Sequence, residues 1–116
     1  MQNKQFPVTK YTYTFEDGTT CEMTLAFYAL YQLKGKNKDL YDRYNKMMTK
    51  ASKDEAEELD TITILYAAYC CANLNEENIM SEEEFMMKCG SDREAVVKAA
   101  QALTQPKKQK ASVNRS

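Results

Sequence analysis

A chain of 116 residues, 43% hydrophobic and 28% charged, suits one globular domain with a single core. Its 16 Lys and Arg against 17 Asp and Glu leave a net charge of −1, too weak a field to draw in nucleic acid or an anionic membrane. No apolar run approaches the roughly 18 residues that span a bilayer, and MQNKQFPVTK lacks the apolar stretch of a signal peptide, so the sequence predicts a soluble, cytoplasmic protein.

Residues 1–8 are expected to be a flexible N-terminus, followed by one globular domain over 9–104. Residues 9–24 have the pattern of a hairpin. Thr9, Tyr11, Tyr13 and Phe15 alternate with Lys10, Thr12 and Thr14, the period of two of a half-buried strand. Asp17-Gly18 suits a tight type I′ turn, and Cys21 and Met23 carry the apolar face onto the return strand. A lone hairpin is marginal in water, so this face must rest on helices or a partner.

From residue 25 to 103 the pattern is helical. Thr24 is placed to cap a first helix running to about Lys34, with Gly35 as its stop. Leu25, Phe27, Tyr28, Leu30, Tyr31 and Leu33 make it apolar over much of its circumference. A second helix, about Lys38 to Lys50, aligns Leu40, Tyr41, Tyr44, Met47 and Met48 along one stripe. Ser52 and Glu55 fit a capping box for a third, whose ITILYAAYCCA segment (62–72) is apolar on nearly every side. Such a helix is central to a core or covered by another subunit; it should be the spine of the domain.

Two further boxes pair Ser81 with Glu84 and Ser91 with Glu94, and Gly90 separates a short helix 82–89 from a last helix, about Asp92 to Leu103. Pro106 ends the folded part. Residues 105–116 are expected to be a disordered basic tail, with Lys107, Lys108, Lys110 and Arg115 and no acid. The predicted fold class is therefore α+β, mainly α: an N-terminal hairpin packed on a small bundle of four or five helices.

The chain has no histidine, so the commonest general base is missing and catalysis is disfavoured. Cys21, Cys70, Cys71 and Cys89 show no CxxC spacing and suit reduced, packed thiols better than a zinc site. No cofactor is expected. One stretch imitates a metal loop. With Asn73 in position 1 of an EF-hand loop, Asn75 falls at 3, Glu77 at 5, Ser81 at 9 and Glu84 at 12. Against calcium stand the uncharged Asn73, the non-glycine Asn78 at position 6, and the absence of a second loop. A helix end followed by the Ser81–Glu84 cap explains the same letters.

Seven Met and eight Tyr are a heavy apolar load for so short a chain. Met is favoured on adaptable surfaces. Phe85, Met86 and Met87 are consecutive, and one helical face cannot bury all three. Tyr41, Tyr44, Met47 and Met48, with Phe85, Met86 and Met87, are thus the candidate partner-binding residues.

The order of these elements resembles the tail assembly chaperones of long-tailed bacteriophages and prophages. The resemblance spans roughly residues 10–103 and rests on EDGTTCEMTLAFYALYQL, on LDTITILYAAYCCAN, and on MSEEEFMMKCGSDREAVVKAAQAL. It implies a non-enzymatic protein of the bacterial host cytoplasm that binds the tape measure protein and keeps it soluble during tail tube assembly. It also implies self-association, through the central helix or the hairpin edge, and a longer frameshifted form, for which PKKQK is a candidate slippage point. The competing expectations are a small calcium-binding module on a degenerate loop and a generic helical regulatory or DNA-associated domain.

Overall fold

The computed structural model describes residues 10–104. The expectations for the two termini, including the tail after Pro106 and Thr9 of the first strand, lie outside the described residues. Within them, two strands precede five helices: β1 (Tyr11–Thr14), β2 (Thr20–Met23), α1 (Phe27–Lys36), α2 (Lys38–Ser52), α3 (Glu58–Ala72), α4 (Glu82–Cys89) and α5 (Arg93–Thr104). This is the α+β, mainly α architecture that the pattern predicts.

The strands are antiparallel, pairing Tyr11 with Met23 and Tyr13 with Cys21 on one face. That face points inward: Tyr13, Met23 and the following Phe15 are buried. On the other face Thr12 donates a 3.0 Å hydrogen bond to Glu22 across the ladder. The turn is not type I′. Gly18 N–H donates to the Phe15 carbonyl and Phe15 N–H to that of Thr19. Gly18 alone has a left-handed φ, +90°. These bonds make a type I turn closed by a glycine bulge. Asp17 stays right-handed because its Oδ1 accepts from the N–H of Thr19, two residues on, at 2.9 Å.

Helix α1 starts later than Thr24. The Thr24 N–H donates to Ala68 of α3 and its hydroxyl accepts from Ala26 N–H, so residues 24–26 form a turn joining strand to helix. Nor does Gly35 stop α1, which runs on to Lys36. Asn37 does, with its N–H on the Leu33 carbonyl and its Oδ1 accepting from Leu40 N–H at 3.1 Å, so one residue closes α1 and opens α2.

Ser52 and Glu55 do not cap α3. They belong to the end of α2, where Glu55 N–H donates to the Lys50 carbonyl and Asp54 N–H to that of Ala51, with Asp54 left-handed at φ +61°. Those bonds are the Schellman pattern, which satisfies the last carbonyls of a helix. The start of α3 is stabilised instead by Asp60, whose Oδ2 accepts the Glu57 N–H at 2.9 Å and meets the Lys50 ammonium at 2.9 Å. The Ser81–Glu84 box forms as expected, with both bonds made, and Gly90 ends α4 at φ +62°. At α5 the cap shifts by one residue: Asp92, not Ser91, accepts from Ala95 N–H.

Helix α3 is the spine. Ile64 to Cys71 are all buried, enclosed by the chain's own hairpin and helices rather than awaiting another subunit. At its end Phe85 is fully enclosed by the rings of Phe15, Tyr66 and Tyr69, with centroids 5.7, 5.5 and 5.6 Å away. The hydroxyl of Tyr66 donates to the Met80 carbonyl and that of Tyr69 accepts the Met80 N–H, each at 2.8 Å, which pins the residue before the Ser81 cap of α4. Arg43 of α2 grips Glu82 with two bonds of 3.2 and 2.8 Å, and Lys88 reaches Thr19 in the hairpin turn at 2.7 Å.

Candidate contact surface

The seven expected partner-binding residues do not share one surface. Tyr44 is buried, and Tyr41, Met47 and Met48 are half-buried against the same core. The stripe on α2 is therefore the side by which that helix seats on α1 and α3. Phe85, at 0% exposure, is a core residue for the same reason: it fills the ring cluster. These placements remove Tyr44 and Phe85 from any surface of the subunit. Met86 and Met87 remain, Met87 at 73% exposure, because Phe85 and Cys89 take the single inward face of α4.

The largest exposed apolar group lies where the sequence is ambiguous. Phe27 is 90% exposed, Tyr28 70% and Tyr31 72%, all on α1. Tyr28 and Tyr31 stack with centroids 6.2 Å apart, and Phe27 stands four residues before Tyr31 on the same side. Leu33 faces inward from the opposite side. Because α1 is apolar nearly all round, its periodicity gives no signal as to which side is covered. The signal lies further on: Lys34, seven residues after Phe27, continues the outer side and sits 5.7 Å over the ring of Tyr41. A smaller apolar group, Leu59 and Val97, borders a cleft of about 170 Å³ between α3 and α5.

The residues of the supposed metal loop are committed elsewhere. Asn73 ends α3 and its amide donates to the Tyr69 carbonyl at 2.8 Å. Ser81 and Glu84 satisfy each other's backbone in the cap of α4. Asn75 and Glu77 are exposed. Asn78, where the loop needs a left-handed residue, has no positive φ; among the described residues only Gly18, Asp54 and Gly90 do. No three His, Cys, Asp or Glu side chains gather among the described residues as a metal would need. The spacing of an EF-hand is present without its geometry.

The titratable groups are likewise held in structural roles. Burial pushes the thiols of Cys21 and Cys71 up to about 12 and that of Cys70 to about 11, which makes them poor nucleophiles at neutral pH. Burial also raises Tyr13, whose hydroxyl meets the Cys89 thiol. Asp60 and Asp92 cap helices, and Glu82, Asp60 and Glu58 pair with Arg43, Lys50 and Arg93. What the arrangement offers a partner is apolar contact. Among the described residues no helix is long and apolar enough to cross a membrane. Comparison with protein-family models, with curated proteins and with solved structures returns no match.

Proposed function

We propose that the chain is a tail assembly chaperone of a long-tailed bacteriophage or prophage, holding the tape measure protein soluble in the host cytoplasm until the tail tube forms around it. The observation that carries this reading is the bare aromatic ridge of α1, with Phe27, Tyr28 and Tyr31 turned to solvent on a domain whose core is otherwise complete. A short rigid ridge of this kind suits the helix-in-groove mode, in which a client helix lays its apolar side along the receptor. Many copies along one long helix would hold it by avidity, so each contact can be modest.

The resemblance in the order of elements supports the same reading and brings with it self-association and a frameshifted longer form. With α3 enclosed, the reading assigns pairing between copies to the hairpin edge. The test is co-expression with the longest helical protein of the same gene cluster. The client's soluble fraction should rise with the chain and fall back when Phe27 and Tyr31 are both changed to Ser. A client no more soluble with the chain than without it refutes the assignment.

A further inference from the structure

Gly35 has no internal reason to be glycine. It lies within α1, exposed, without a positive φ, and a Cβ placed on it would meet nothing within 4 Å. Inside a helix glycine weakens the element relative to alanine, because it gives up more backbone freedom on folding. Its position is informative: Gly35 is four residues after Tyr31 and seven after Tyr28, so it lies on the same outward side as the aromatic ridge. A residue with no side chain beside a row of rings makes a notch, and small residues are what let two helix backbones approach closely.

The charge around this ridge is mixed, with basic groups in excess. Helix α1 carries no acid, while Lys34 lies on the stripe of Phe27 and Tyr31; Lys36, in the last turn, donates to the Leu74 carbonyl at 2.8 Å. Lys10 lines the cleft of about 440 Å³ that opens beside Tyr28, and Glu76 is the acid there. Lys38 begins the next helix, paired at 2.8 Å with Asp42. A basic surround of this kind favours acidic side chains on whatever docks, since complementary charge sets register and excludes wrong partners.

We infer that the Phe27–Tyr28–Tyr31 ridge and the Gly35 notch form a seat for an acidic amphipathic helix. Its apolar side lies on the three rings, its backbone approaches α1 at Gly35, and its Asp or Glu residues face Lys34 and Lys10. The inference rests on the chaperone reading for its biological setting and adds which helices the ridge selects.

Two synthetic helical peptides of about 20 residues, long enough to hold a helix, test it against the full chain by fluorescence anisotropy. Both carry leucine at i, i+3, i+4 and i+7; one is flanked by glutamate and the other by lysine. The acidic peptide should bind at least about tenfold tighter, as one or two desolvated charge contacts imply, with the difference shrinking at high salt. Gly35→Ala should raise the melting temperature of the free chain yet weaken the acidic peptide about tenfold, a combination that a merely structural glycine does not produce. Phe27→Ser with Tyr31→Ser should abolish binding and leave the melting temperature nearly unchanged, since both rings are exposed.

Equal binding of the two peptides overturns the charge selection, and an indifferent Gly35→Ala overturns the notch. Concentration-dependent self-association that Phe27→Ser removes would give the seat to a second copy and overturn the proposal. Binding of neither peptide removes the seat; the chaperone reading then stands or falls separately on the co-expression result, where the client can use another face.

Discussion

Replacing Phe85 separates core from contact surface among three adjacent large residues. The ring is fully buried against Phe15, Tyr66 and Tyr69. An aromatic side chain buries about 150–250 Å², which at about 25 cal/mol/Å² corresponds to roughly 4–6 kcal/mol of transfer free energy. Alanine recovers part of that, and the walls relax partly into the space, so Phe85→Ala should cost about 3–5 kcal/mol. For a domain of about 100 residues the unfolding entropy is about 0.2 kcal/mol/K, so 4 kcal/mol becomes a fall of about 20 °C in melting temperature. Total stabilities are only about 5–15 kcal/mol, so Phe85→Leu, expected to cost about 1.5 kcal/mol or less, keeps the measurement possible should the alanine variant unfold. Met87→Ala, two residues along and exposed, should stay within about 0.5 kcal/mol. Urea denaturation followed by far-ultraviolet circular dichroism reads all three. A Phe85→Ala cost below about 1 kcal/mol, or a Met87→Ala cost as large as that of Phe85→Ala, would refute the burial argument.

Gly90→Ala should cost about 1–3 kcal/mol for its positive φ, plus a clash, because the added Cβ would run into the Glu16 carboxylate. Introducing Glu16→Ala alongside should recover the clash but not the backbone part, and thermal melts of the single and double variants separate the two. Asp60 is held below the usual carboxylate range, first by the Glu57 N–H and then by Lys50. A carboxylate depressed by folding contributes stability above its unfolded pKa, near 3.9, and loses it as pH falls through the folded value. Asp60→Asn should therefore be the less stable form at neutral pH, with the gap closing below about pH 4; urea midpoints at several pH values showing a constant gap would refute this. With Cys21 raised to about 12, about one molecule in 10⁴ carries its thiolate at pH 8, against about a quarter for a free thiol of pKa near 8.5. Alkylation by iodoacetamide should accordingly be slow until the chain is unfolded, and rapid native labelling of Cys21 would contradict its placement.

Where one physical preference dominates, the sequence predicts the element. The alternation from Tyr11 to Phe15 admits only a strand with one buried face, and the run from Ile62 to Ala72 has no polar side to expose, so hairpin and spine were legible. Errors gather where two local preferences compete for the same residues. Ser52 and Glu55 satisfy the lettering of a helix start, yet Lys50 and Ala51 need their carbonyls satisfied first, and the left-handed Asp54 does that. Thr24 has a hydroxyl fit for a cap but spends it on a turn, because its N–H is already tied to Ala68. Ser91 and Asp92 are both caps by composition, and the aspartate takes the position. The contact surface was harder to read for a different reason. Apolar residues around all of α1 leave its orientation to what the rest of the domain happens to cover, and a trio such as Phe85-Met86-Met87 does not say which member turns inward.

Asn37 closes one helix and opens the next, so the corner between α1 and α2 contains no loop. Flexible joints work by having spare residues whose dihedral angles absorb a rotation, and here a single residue is bonded on both sides. Rotation of α1 against α2 therefore has a single residue to act through, and α2 is joined in turn to α4 by the guanidinium of Arg43. The ridge and the exposed methionines of α4 are in this sense linked through α2 by one capping residue and one ion pair.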